Sequence, residues 1–250
     1  MNFQLVSDLH LEFQNSNPVI ERKAENLILA GDVGYPTHEK FVNFMYDLCS
    51  KFERVFYVAG NHEYYCGLPK SEVDALLTKL SKELGFIFLN NTTYRFPDNG
   101  LTVVGTTLWT RTTPRNAFIL ESCINDYRKI LKGEDKERIT SKDTGEWHEE
   151  AVQFLFKEFS IPGEKLVITH HLPSMELIHE KYQGHPANCA FASSLEPMFK
   201  GSGVKVWCAG HTHAPISKTI SGIQFFVNPV GYPGENKEPN TSFTFTITNS

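Results

Sequence analysis

Cysteine is scarce in this chain and badly placed for cross-linking: Cys49, Cys66, Cys123, Cys189 and Cys208 make an odd, scattered set with no CxxC pair. That excludes a disulfide framework and a thiolate-bound structural zinc, and it reads as isolated thiols in a reducing compartment. Basic runs are missing too. With 24 basic against 29 acidic residues the formal net charge is −5, which argues against a protein that grips long nucleic acid by neutralising phosphates. A small anionic substrate stays open, because bound divalent ions would reverse the local field. No apolar run approaches the roughly 18 residues needed to cross a membrane. The opening MNFQLVSDLH has neither the basic segment nor the apolar stretch of a secretory signal. The expected setting is therefore the cytoplasm, without a membrane partner. Repeats, low-complexity tracts and long linkers are also absent, so residues 1–250 read as one domain.

What is present is a series of short apolar runs of strand length: Phe3–Val6, Leu27–Ala30, Val55–Ala59, Phe86–Leu89, Leu101–Val104, Leu166–Thr169, Val204–Ala209, Ile223–Val227 and Phe243–Ile247. Several are apolar almost throughout, as strands covered on both faces must be. Between them lie helical stripes. Phe41, Phe44, Leu48 and Phe52 form one. Val73, Leu76, Leu77, Leu80 and Leu84 form another, with Ser71 as N-cap and Gly85 just past the end. Trp147, Ala151, Phe154, Leu155 and Phe159 form a third, and a short helix is expected over Ser193–Phe199. Strand–helix alternation in the first half predicts parallel pairing, and the helix-free stretch from about Ile216 predicts antiparallel hairpins. The class is α/β, with mixed sheets in layers. The polar stretch at about 111–160 reads as a helical insertion over one end of the sheet.

The chemistry lies where the apolar runs stop. Asp8-x-His10 follows the first, Gly31-Asp32 the second and Gly60-Asn61-His62-Glu63 the third, while His170-His171 and Gly210-His211-x-His213 follow two later ones. Ligands of α/β sheets bind just beyond the carboxyl ends of strands, so these motifs share one location. Carboxylate, amide and imidazole donors without thiolate suit Mn, Fe or Zn. Asp8, His10, Asp32, Asn61, His170, His211 and His213 are too many for one tetrahedral ion and suit two, with one carboxylate shared. Glycine before three of these motifs lets the chain turn or an ion come close.

Taken together and in this order, D-x-H, G-D, G-N-H-E, H-H and G-H-x-H resemble the calcineurin-like metallophosphoesterase family over most of the chain, from Asp8 to His213. The resemblance implies a four-layer α/β/β/α sandwich of two mixed sheets flanked by helices. It implies that Asp8, His10, Asp32 and His213 hold one metal ion, that Asp32 bridges, and that Asn61, His170 and His211 hold the second. It implies His62 beside the phosphate as general acid or transition-state stabiliser, His171 in the outer shell or facing substrate, and Glu63 as loop support. The reaction implied is hydrolysis of a phosphomonoester or phosphodiester by a hydroxide bridging the metals. The alternative is a non-catalytic metal-binding scaffold on the same fold, as in the retromer subunit that resembles these enzymes.

Around the site, Cys123–Arg128 is a candidate pocket wall, against the plainer reading of Asn125 and Asp126 as helix-end caps. Tyr64, Tyr65 and Tyr182 are candidates to stack on a leaving group, and Gly231–Gly234 is a loop that closes one side. Of the histidines outside the motifs, His38, His148 and His185 read as ordinary, and His179 is singled out. A small substrate is expected, because the segment at 111–160 would restrict access.

Overall fold

The computed structural model describes residues 1–248. The chain runs through β1 (Asn2–Val6), β2 (Asn26–Ala30), α1 (Glu39–Lys51), β3 (Arg54–Val58), α2 (Lys70–Leu84), β4 (Ile87–Phe88), β5 (Thr92–Arg95) and β6 (Thr102–Thr106). It continues through α3 (Pro114–Cys123), α4 (Asp126–Lys129), β7 (Leu131–Lys132), β8 (Glu137–Arg138), α5 (Ser141–Ser160), β9 (Lys165–Thr169), β10 (Val204–Ala209), β11 (Ile216–Ile220), β12 (Ile223–Val227) and β13 (Thr244–Thr246).

Two mixed sheets result, ordered β13-β1-β2-β3-β4 and β11-β12-β10-β9-β6-β5, with β7-β8 as a separate hairpin. In the first sheet β1 through β4 pair in parallel and β13 closes the edge antiparallel to β1. In the second, β6, β9, β10 and β12 are parallel, while β5 and β11 pair antiparallel at the two edges.

Residue alternation along each strand builds the layers. Phe3, Leu5, Ile28, Ala30, Phe56 and Val58 meet Val103, Leu166, Ile168, Val206 and Cys208 between the sheets. Their neighbours Val6, Leu27, Leu29, Val55 and Tyr57 face the other way, onto Phe41, Leu48, Val73 and Leu77 of α1 and α2. On the far side Val104, Val167 and Trp207 pack with Ala151, Leu155 and Phe159 of α5. Helix, sheet, sheet, helix is the observed order of layers.

Several expectations need correcting. Helix α2 begins one residue before Ser71, with Pro69 at the N-cap and no side-chain cap, while Gly85 ends it at φ 90°. The segment Ser193–Phe199 forms only a 3₁₀ turn at Glu196–Met198; Pro197 has no N–H to donate to the Ser193 carbonyl and its ring crowds it, so a helix cannot begin at Ser193. The stretch at 111–160 is not wholly helical and does not lie wholly over the sheet end. Its α5 is one of the outer layers, α3 and α4 approach the strand ends, and β7-β8 is a hairpin. Strand β5 was not expected at all, since Thr92, Thr93, Tyr94 and Arg95 on an exposed edge carry no apolar run.

Candidate metal centre

Strands β1, β2 and β3 of one sheet and β9 and β10 of the other end side by side, and backbone hydrogen bonds tie those ends together. The Asp8 N–H donates to the Gly31 carbonyl at 3.0 Å, the His10 N–H to Asp32 at 2.9 Å, and the Gly210 N–H to His170 at 3.0 Å. Four of the expected metal ligands leave their strands in the left-handed region: Asp8 at φ 53°, His10 at 46°, Asp32 at 53° and His211 at 66°. Each such residue costs on the order of 1 kcal/mol, a strain that folded proteins concentrate at functional sites.

The close approach of these ends explains two glycines. A Cβ on Gly60 would lie 2.2 Å from Asp32 Oδ1 and 2.7 Å from His170 Cε1. On Gly31, whose φ is 87°, it would lie 2.3 Å from His170 Nδ1. Gly60→Ala must therefore push Asp32 and His170 apart. We expect it to lower stability by about 1–3 kcal/mol, the usual cost of overpacking, and to weaken Mn²⁺ uptake at least about tenfold, the scale for disturbing what positions a metal ligand. Urea melts of the metal-free protein and a Mn²⁺ titration check both effects; wild-type values in both would contradict this reading of Gly60.

The expected ligands gather into two groups. In the first, His10 Nε2 faces His213 Nε2 at 3.1 Å, and His213 Nε2 lies 3.7 Å from Asp8 Oδ1. His10 Nε2 also lies 3.7 Å from Asp32 Oδ2. In the second, His170 Nε2 lies 3.1 Å from Asn61 Oδ1, 3.1 Å from His211 Nδ1 and 3.4 Å from Asp32 Oδ1. Asp32 turns one oxygen to each group. The seven side chains expected together are therefore together.

The hydrogen-bond partners behind them decide what these groups can hold. His10 Nδ1 is engaged by Glu12 Oε1 at 3.2 Å and His213 Nδ1 by Glu235 Oε2 at 2.5 Å. Each carboxylate takes a ring N–H, so the two Nε2 atoms confront each other as lone pairs. His170 Nδ1 gives its proton to the Ala30 carbonyl at 2.9 Å, which turns Nε2, the nitrogen that would bind a metal, to the oxygens of Asn61 and Asp32. Such convergence of acceptors is unfavourable unless a proton or a metal cation lies among them. The donor set fits divalent metal. Asp8, His10 and His213 form one cluster compatible with an ion, and Asp32, His170 and His211 a second.

The sequence of residues 1–215 matches the calcineurin-like phosphoesterase family. The chain belongs to that family. Along its length it is similar to the uncharacterized protein L509 of Acanthamoeba polyphaga mimivirus, 29% identical over 262 residues, spanning 94% of this chain and 92% of the viral protein. Its fold is similar to that of a phosphopantetheinyl hydrolase from Mycobacterium tuberculosis, with a TM-score of 0.73 at 18% identity over 96% of this chain and 93% of the other. Calcineurin-like phosphoesterases use divalent metals, which agrees with the donor set.

In this calcineurin-like phosphoesterase the electrostatics centre on Asp32. Burial alone would raise its pKa, but His170, His62 and His10 outweigh that and hold it well below the usual carboxylate range. His170 responds in the opposite sense: burial disfavours its charge, yet Asp32, with Asp8 behind it, lifts its pKa to about 10. Burial, reinforced by His170, pushes His171 down to about 3; its Nδ1 turns away to the Thr107 carbonyl at 3.1 Å. Burial and the neighbouring histidines likewise keep His211 neutral.

His62 sits against both groups without facing either by a free nitrogen. Its backbone N–H donates to Asp32 Oδ1 at 2.9 Å, its Nδ1 meets Glu12 Oε1 at 2.9 Å, and its Nε2 meets the Tyr232 hydroxyl at 3.2 Å. With His10 and Asp32 it forms a third cluster within reach of one ion, but both its ring nitrogens already have partners. Burial opposes a charge on His62, and Asp32 and Glu12 more than restore it, so its pKa is raised. Glu63 receives the N–H groups of Val33, Asp32 and Gly60 and the Tyr57 hydroxyl, which pins the loop.

A cavity of about 700 Å³ opens over the centre, bounded by Ile124, Asn125, Tyr182, Phe191 and Tyr232. His179 lines it, and so does His185, which had read as ordinary. Tyr64 is a packing residue whose hydroxyl donates to Asp74 at 2.8 Å, whereas Tyr65 lies against His62 at a tilt of 39°, with ring centres 4.4 Å apart. Sequence reasoning missed Glu12, Glu235 and Tyr232 as side chains of the site. Glu12 left a signal in its spacing of two from His10, and Tyr232 only in lying within the Gly231–Gly234 loop; Glu235 left none.

Proposed function

We propose that this chain is a dinuclear metal-dependent hydrolase of a small phosphate ester, mono- or diester. One observation carries the reading: two groups of inward-facing acceptors share the buried Asp32. Asp8, His10, Asp32 and His213 would hold one ion, and Asp32, Asn61, His170 and His211 the other. Nitrogen and oxygen donors without thiolate favour Mn, Fe or Zn. When bound, the ions supply Lewis acidity that activates water and neutralises the phosphoryl oxygens.

The residues do the rest. Asp32, held ionised, fixes the spacing of the two groups. His62, steadied by Glu12 and carrying a raised pKa, can hand a proton from its ring to the departing ester oxygen. Tyr232, within hydrogen-bond reach of that ring, orients it. The walls from segment 111–160 and from 178–191 leave room for a compact leaving group rather than a folded protein. In this reading residues 1–250 are one catalytic domain whose segment 111–160 supplies the cavity wall at Cys123–Asp126 and the outer helix α5, and five free thiols suit a cytoplasmic setting.

The test is hydrolysis of p-nitrophenyl phosphate and bis-p-nitrophenyl phosphate in Mn²⁺. Turnover should vanish in EDTA and return with added Mn²⁺. Trace release equal to buffer under every condition would instead support the scaffold reading.

A further inference from the structure

Asn61 differs from the other expected ligands in one respect: its side chain can be presented two ways round. Only the carbonyl end can approach a cation; the amide nitrogen would repel it. Something must decide which end faces inward.

The polar segment 111–160 supplies that something. Asp126, at the start of α4, is buried at 5% exposure. Its Oδ1 accepts the Asn61 Nδ2–H at 2.8 Å and the Tyr65 hydroxyl as well. The Tyr65 oxygen in turn takes the Asn61 amide at 3.0 Å. An ionised carboxylate only accepts, so the nitrogen end of Asn61 must face Asp126. Oδ1 is thereby turned to His170 Nε2 at 3.1 Å.

We propose that Asp126 is a positioning residue that sets the orientation of the Asn61 amide, so that the second metal subsite is completed by a side chain delivered from segment 111–160. This rests on the dinuclear reading above. Asp126 touches neither of the two donor groups except through Asn61 and Tyr65, so its effect belongs to the second subsite alone. The plainer view of Asp126 as a helix-end cap does not account for its burial against Asn61.

Mn²⁺ binding, followed by the electron paramagnetic resonance signal of the free ion, tests the inference. Wild type should take up two ions per chain. Asp126→Asn lets the pair settle with either end of Asn61 inward; it should weaken the second ion about 10–100-fold, the range for losing a group that orients a metal ligand, and leave the first unchanged. Asn61→Asp alone sets two carboxylates side by side and should be worse. The double variant Asn61→Asp/Asp126→Asn restores a donor–acceptor pair with its polarity reversed, and should recover most of the second ion's affinity. Thermal melts in EDTA guard against misfolding, and a poorly folded single variant leaves the rescue by the double variant as the deciding comparison. If wild type binds two ions and Asp126→Asn binds both equally well, or the double variant is no better than the singles, the inference is overturned. If wild type itself fails to bind two, the dinuclear reading fails first.

Discussion

Asp32→Ala should reduce kcat/KM for bis-p-nitrophenyl phosphate by about 10⁴-fold or more, the scale on which losing a residue central to an active site acts. Three features of the structure add up at this side chain. It offers one oxygen to each acceptor group, at 3.7 Å from His10 Nε2 and 3.4 Å from His170 Nε2. Its Oδ1 also receives the His62 N–H, so it fixes the loop that carries His62. It is the charge that dominates the titration of His170 and supports that of His62. Its removal should therefore lower Mn²⁺ affinity in both subsites together, unlike a change at Asn61 or His213. Steady-state kinetics with metal analysis of the same samples checks this. Retained activity with full metal content would mean that Asp32 is not the shared ligand.

His62→Ala should separate proton donation from metal binding. Two ions should remain, because His62 contributes to neither group through a free ring nitrogen. The loss should depend on the leaving group. For an alkyl ester, whose oxygen must be protonated as it departs, the fall should be about 10²–10⁴-fold, the usual contribution of general acid catalysis. For p-nitrophenyl phosphate, whose leaving group departs as a stable anion, it should be much smaller. Comparing kcat for the two ester types in wild type and variant is sufficient. Equal losses for both, with metal content intact, would show that His62 stabilises charge rather than delivering a proton.

Much of this architecture was legible in the chain because the signals were chemical and local. Leu27–Ala30 and Leu166–Ile168 are apolar throughout because sheets buried on both faces leave no side for water. The polar residues that end them stand out for that reason, and their convergence follows from parallel strands sharing one carboxyl-end face. Edge strand β5 was not legible, since three of its four residues answer to solvent rather than to a core. The role of α5 as an outer layer was hidden by the polar segment before it. Least legible were the side chains that orient the others. Glu235 comes from the segment after β12 and Asp126 from the start of α4; Cys123–Arg128 stood out only as a possible wall, and the pairing of Asp126 with Asn61 comes from tertiary packing that no local pattern encodes. Proline at 197 was visible and should have argued against a helix there.

The central claim is that five strand ends from two sheets form one pair of cation sites sharing Asp32. Anomalous diffraction from a Mn²⁺-soaked crystal tests it most directly. Two peaks are expected, one among Asp8, His10 and His213 and one among Asn61, His170 and His211, with Asp32 between them. A single peak, or manganese bound elsewhere with these side chains unchanged, would contradict it.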